Sequence, residues 1–208
     1  MRKRVFWAAT LAFVLMMAGL LYASNMGFKL NYTLPGGGLD GTIATSLPYN
    51  QQVGIDSASL LLDEVPAGVG VGFHNQGNNL GVRYTGVAGT APDFDLVPGD
   101  GYYITVTAGG SYIIVGSHDP SLELDFDPGG LDGTILWSYP YHSQHPDASS
   151  LLSDVPDSVG IGFFNRLNNL GVRYTGVAGT APDFSLVVGD AYFVTVTAVV
   201  PTYKPKHF

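Results

Sequence analysis

The sequence predicts a mainly β protein made of two tandem small β-sandwich or barrel domains, each with one short helix. Three observations lead there. Seventeen residues, Asn78 to Phe94, recur unchanged as Asn168 to Phe184 at a spacing of 90. Short runs of alternating apolar and polar residues are bounded by Gly and Pro, of which there are 28 and 13, and period-two alternation marks strands with one buried face. Only one stretch per copy has helical spacing, and a proline ends it within three turns. The chain has no cysteine, so a core of apolar side chains has to hold each copy together.

Residues 1–23 read as a signal peptide. Arg2, Lys3 and Arg4 precede an uncharged, largely apolar run from Val5 to Ala23, the layout of a secretory signal. Leu21 is larger than a cleavage site prefers, and the run is long enough to span a bilayer, so an uncleaved anchor is the alternative. The expected location is secreted, extracellular or at the cell surface, with membrane contact only through this segment if it stays. Its removal takes the formal charge from −8 to −11. Nucleic acid is a poor partner for such a surface.

Residues 24–34 form an N-terminal strand, followed by repeat domains at 35–117 and 118–208. Each copy runs the same way. A strand (Lys29 to Leu34; Ser121 to Phe126) meets a Pro-Gly-Gly turn, and a second strand (Thr42 to Leu47; Thr134 to Tyr139) ends at Pro48-Tyr49 or Pro140-Tyr141. The helix follows, with an Asp N-cap at Asp56 or Asp147 and a leucine cluster. Val69, Val71 and Phe73 then alternate with Gly70 and Gly72, as Val159, Ile161 and Phe163 do with Gly160 and Gly162. A strand with one bare face invites close packing, here by the helix. Strands at Val82 to Val87 and Tyr102 to Thr107, with their counterparts, complete each copy.

The order Ser46-Leu47-Pro48-Tyr49-Asn50, a Leu-rich helix, Pro98-Gly99-Asp100-Gly101-Tyr102 and Ile113-Ile114-Val115-Gly116 resembles tandem β-rich modules of secreted and cell-surface bacterial proteins. The resemblance covers both copies through short motifs, and copy two departs from it at Tyr139 and Val188. It implies a surface location and a β-fold, and carries no fixed activity.

No enzyme signature and no cofactor motif emerge. Gly68 to Phe73 lacks the third glycine of a dinucleotide loop, there is no Gly-x-Ser-x-Gly elbow, and the copies share no histidine. His142 and His145 are a two-imidazole metal candidate without a counterpart in copy one. Asp125, Asp127 and Asp132 are the calcium candidates, although the EF-hand spacing is absent. Arg83 and Arg173 are expected to pair with Asp93 and Asp183. Tyr49, Tyr84, Tyr102, Tyr141 and Tyr174 are candidates for a glycan-binding platform.

The two ends differ. Tyr112 to Val115 should close the sheet of copy one, whereas copy two has Thr202-Tyr203-Lys204-Pro205 there, with Pro201 before it. Proline cannot donate to a ladder, so copy two is expected to end on an open or partly covered edge. Met26, Phe28, Leu30, Tyr32 and Leu34 alternate in strict period two, while copy two has His118 and Pro120 in place of the first two. This resembles donor-strand-exchange subunits of extracellular filaments, in which a terminal strand fills a neighbour's sheet. The expectation is a structural protein whose copies join head to tail, these five residues of one copy lying at the open edge of the second repeat of the next. A monomeric adhesion or glycan-binding module is the alternative.

Overall fold

The computed structural model describes residues 27–34, 42–46, 50–51, 54–75, 80–117, 121–127, 134–140, 143–165 and 170–206. Residues 1–23, Met26, Asp132 and His142 lie outside them. No helix among the described residues is long and apolar enough to cross a membrane.

The described residues are mainly β, with several antiparallel sheets and two short helices. The first half contains β1 (Gly27–Leu34), β2 (Thr42–Ser46), β3 (Asn50–Gln51), α1 (Ala58–Glu64), β4 (Gly68–Asn75), β5 (Leu80–Tyr84), β6 (Gly101–Val106) and β7 (Gly110–Ser117). The second contains β8 (Leu124–Phe126), β9 (Thr134–Ser138), α2 (Ala148–Asp154), β10 (Ser158–Asn165), β11 (Leu170–Tyr174), β12 (Ala191–Val196) and β13 (Val200–Tyr203). The four-stranded sheets have equivalent orders, β2-β6-β4-β5 and β9-β12-β10-β11. The others are β1-β7-β3 and β8-β13. None closes into a barrel, which removes that alternative; four strands are too few to close around a filled interior.

Each helix fits its sequence signal, with one correction. The first N-cap is Ser57, not Asp56, and its hydroxyl accepts from Leu60 N–H. Asp147 caps the second as expected, in a reciprocal box with Ser150 that satisfies two otherwise orphaned donors. Ala58 and Leu61, like Ala148 and Leu151, are buried, so one short face carries the packing.

The bare faces of β4 and β10 are covered by arginine rather than by the helix. A methyl built on Gly70 would strike the Arg83 guanidinium, and one on Gly160 that of Arg173. The helices pack on the bulky side instead, where Val71 and Ile161 are fully buried. The antiparallel register explains this, because Arg83 stands opposite Gly72 and Arg173 opposite Gly162. A long side chain on the edge strand thus fills the groove left by glycines.

Among the described residues the buried apolar side chains form two large clusters and a small one. The first joins Tyr32 and Leu34 of β1 to Leu61, Val71, Tyr102, Ile104, Tyr112 and Ile114. The second joins Leu124 and Phe126 to Trp137, Leu151, Ile161, Tyr192, Val194 and Tyr203. Neither cluster contains residues of the other half. The third, Ala44, Leu136 and Ala191 with Tyr103 and Phe193, lies between the halves.

That junction has two-fold character. Residues at equivalent positions face one another: Tyr103 meets Phe193 with ring centroids 6.3 Å apart, and a methyl on Gly101 would lie 2.7 Å from the Ala191 Cβ. The turns are reciprocal too. Gly99 abuts Leu124 of the second half while Gly189 abuts Tyr32 of the first, and Leu124 occupies the place in its copy that Tyr32 has in the other. Such exchange of equivalent contacts is the hallmark of an isologous interface. Because the two residues near the axis cannot both carry a methyl, one is Gly101 and the other Ala191.

Candidate functional site

The N-terminal strand is where the structure concentrates the residues singled out for assembly. β1 lies antiparallel to β7 over its whole length, from Gly27 opposite Ser117 to Leu34 opposite Gly110. Tyr32 and Leu34 are buried in the first core, while Lys29, Asn31 and Thr33 face solvent. Tyr32 stacks on Tyr112 at 4.9 Å with the rings 13° apart. Phe28 and Leu30 lie in the strand, opposite Gly116 and Ile114. Within one chain the strand therefore completes its own half.

The second half is closed differently. Its edge, expected to be open or partly covered, carries a short strand: β13 pairs with β8, Val200 opposite Phe126 and Tyr203 opposite Leu124. Three steps along β13 match two along β8, so a bulge absorbs the irregularity where Pro201 and Thr202 sit, and the missing proline N–H is not needed there. Tyr203 then takes the place that Tyr112 has in the first half, packing on Phe126 at 5.4 Å. The ladder is nevertheless short: β8 has three residues where β1 has eight.

Beyond Tyr203 a polar clasp replaces the ladder. Asp154, at the end of α2, accepts from the Tyr203 hydroxyl at 2.9 Å and meets the His145 Nε2 at 3.1 Å. Lys206 Nζ pairs with its other oxygen. The Gln144 N–H donates to the Lys206 carbonyl at 3.0 Å, and the Tyr139 hydroxyl donates to the His145 carbonyl. Burial works against the Asp154 carboxylate, but the hydrogen bonds from Lys206 and Tyr203 and the nearby His145 hold its pKa below the ordinary value. Burial lowers the His145 pKa, with Asp154 opposing that shift. Where the second half has buried His145 the first has buried Ile55, so an ionic fastening stands in for apolar packing and a longer strand.

A second cluster of acids lies at the junction. Val97 to Asp100 of the first half, Glu123 to Phe126, Ile135, Trp137, Pro201 and Thr202 line a cavity of about 390 Å³. Asp100 bridges to Trp137 of β9, and the Ser138 N–H donates to the Gly99 carbonyl at 2.9 Å. Burial, with the neighbouring Asp125 charge, pushes Asp100 up to about 6. The buried Trp137 indole N–H has no hydrogen-bond partner among the described residues.

The remaining candidates separate. Asp125 and Asp127 flank Phe126 and are exposed, and no group of three or more His, Asp or Glu suited to a metal occurs among the described residues. The expected Arg83–Asp93 and Arg173–Asp183 pairs do not form. Arg83 reaches back to the Val69 carbonyl, while Asp93 accepts from Ser59 N–H at 2.9 Å and its hydroxyl at 2.5 Å. The Ser59 hydroxyl chiefly depresses the Asp93 pKa. Asp183 accepts from Ser149 N–H in the same manner. Each acid tethers a loop to a helix start, where an acceptor is favoured. No tyrosine platform is seen among the described residues: Tyr102 is buried and Tyr84 and Tyr174 pack, half-buried, against the two cores. Tyr49 and Tyr141 lie outside them.

No protein-family model matches the chain, and neither a curated protein nor a solved structure matches it.

Proposed function

We propose that this chain is an exported structural protein, two tandem β-sandwich domains whose copies join head to tail by exchanging the N-terminal strand. The observation that supports this reading best is the eight-residue β1–β7 ladder, made by a strand at the very start of the described chain. The sequence suggested the edge of the second half as acceptor. That edge is occupied by β13 and its clasp, so the acceptor in this reading is β7 of another copy.

Exchange of that kind repeats every contact β1 makes within one chain. Only the association cost, on the order of 4 to 15 kcal/mol, separates the two arrangements, and a swapped terminal element is a low-cost route to oligomers. The joint between β1 and β2 is Pro35-Gly36-Gly37-Gly38-Leu39-Asp40-Gly41. Exchange passed on from copy to copy, without return of a strand to the donor, gives an open head-to-tail series.

Deletion of residues 24–34 from the secreted protein, which removes the whole donor strand, tests this. Head-to-tail assemblies should disappear, and the truncated copy added to wild type should shorten wild-type assemblies, because it offers β7 and donates no strand. Assemblies of unchanged length in the truncated protein would remove strand exchange from the account.

A further inference from the structure

The seventeen-residue identity between the copies takes in an exposed edge strand and its turn, with Tyr84 and Phe94 and their counterparts packing against the cores. In the aligned stretches just before and after it, 57–75 with 147–165 and 95–107 with 185–197, eight of nineteen and five of thirteen positions differ. Those stretches contain much of the buried packing, including Val71 against Ile161 and Ile104 against Val194. The identical block contains β5 and β11, in which Gly81, Arg83, Gly171 and Arg173 are exposed, and the exposed turns carrying Val87 and Val177. Only three of the flanking differences, Val71/Ile161, Gly101/Ala191 and Ile104/Val194, are buried, so exposed positions vary on either side of the block and agree within it.

β5 and β11 are also the open edges of their sheets. Among the described strands β5 pairs with β4 alone and β11 with β10 alone. The opposite edges, β2 and β9, are engaged at the junction between the halves. Natural sheets usually guard a free edge with lysine, proline or a bulge. Here β1 carries the exposed Lys29 and β13 has Pro201 in a bulge, whereas the sequence Leu-Gly-Val-Arg-Tyr of β5 and β11 contains neither residue. Its arginine lies back over Gly70 or Gly160 of the adjoining strand, away from the open side.

We propose that β5 and β11 are paired docking edges for a second copy of this chain, joined antiparallel about Val82 or Val172. In that register Arg83 of one copy stands opposite Gly81 or Gly171 of the other, and Leu80 opposite a tyrosine. The glycines are ready for it: a methyl added at Gly81 or Gly171 meets nothing within 4 Å. A hollow of about 620 Å³ lined by Gly72, Phe73, Gly81, Val82, Arg83, Tyr103 and Thr105 lies beside the edge. Any such edge fits any other, which accounts for their identity. Copies joined through strand exchange would associate sideways by these edges, so the inference rests on the reading of the chain as self-assembling.

The test is sedimentation velocity of the full secreted protein over a range of concentrations, comparing wild type, Gly81→Lys, Gly171→Lys and the double variant, alongside the protein lacking residues 24–34. Lysine at 81 or 171 enters open space in the monomer but places a like charge opposite the arginine of a partner. The double variant should lose sideways association while keeping the wild-type thermal melt, and each single variant should retain pairing through its one remaining edge. Wild-type association in the double variant would overturn the proposal, as would a wild type that shows no sideways association. Loss of assembly on truncation with indifference to lysine would refute edge docking and leave strand exchange standing. The reverse pattern would refute strand exchange alone.

Discussion

Replacing Asp100 with Asn should make the protein more stable at neutral pH and remove part of its pH dependence. Asp100 lies in the junction cavity, where burial and the Asp125 charge raise its pKa from 3.8 to about 6. An acid whose folded pKa is raised favours folding in its protonated form. Its contribution is therefore fully present below about pH 4 and is lost as pH rises through about 6. At about 1.4 kcal/mol per pH unit, the difference between the two values amounts to about 3 kcal/mol. That is an upper bound, since Asp100 is only partly shielded from solvent. With a urea dependence of about 2 kcal/mol per molar, the corresponding midpoint shift is about 1.5 M. Urea unfolding followed by tryptophan fluorescence from pH 4 to 8 measures it, Trp137 being next to the site. The difference between Asp100→Asn and wild type should grow across pH 4 to 6.5 and then level off. Asp125→Asn should reduce the pH dependence to a lesser degree, because burial is the larger cause. Parallel wild-type and Asp100→Asn curves across that range would refute the reasoning.

Three further outcomes follow from the packing. Asp154→Asn should destabilise the second half by about 1 to 3 kcal/mol, since it weakens hydrogen bonds made to a partly buried carboxylate, whereas Lys206→Ala should change stability by less than about 1 kcal/mol because Lys206 is largely exposed; equal effects in urea melts would contradict the clasp. Gly101→Ala should cost about 1 to 3 kcal/mol, as the methyl would press on Ala191 and Leu136 across the junction, while Gly81→Ala should be tolerated in the same assay. Leu34→Ala should cost about 2 to 5 kcal/mol by opening a cavity in the first core, and calorimetry showing a near-neutral effect would mean that β1 is not seated there.

Element types were largely legible from local pattern, whereas partners were not. Period-two alternation located β1 and β6, and Asp147 with its leucines located α2. The assignment of glycine faces failed because Gly70 and Gly72 signal only that something comes close; which group does so depends on the register that brings Arg83 opposite Gly72. Pro201 misled for a related reason, since a bulge that spares its missing N–H is set by pairing with β8 and is invisible in the tail itself. Asp93 lies in an identical block with Arg83, yet its oxygens are taken by Ser59 of the helix. The junction acid pair was beyond local pattern altogether. Asp100 and Asp125 belong to different copies, and only the reciprocal packing of the halves brings them near each other. The replacement of Ile55 by His145 at equivalent buried positions was a readable signal that copy two had gained a polar fastening there, because a buried imidazole needs a partner.

The central claim, that β1 passes between copies, is tested most directly by a disulfide. Lys29 and Val115 stand opposite each other in the β1–β7 ladder, and the chain has no cysteine of its own. Lys29→Cys with Val115→Cys, oxidised after concentration and separated on a non-reducing gel, reports whose strand occupies β7. The account predicts a ladder of covalently linked copies that grows with protein concentration. A single band of internally bridged monomer, at concentrations where assemblies are present by sedimentation, would contradict it.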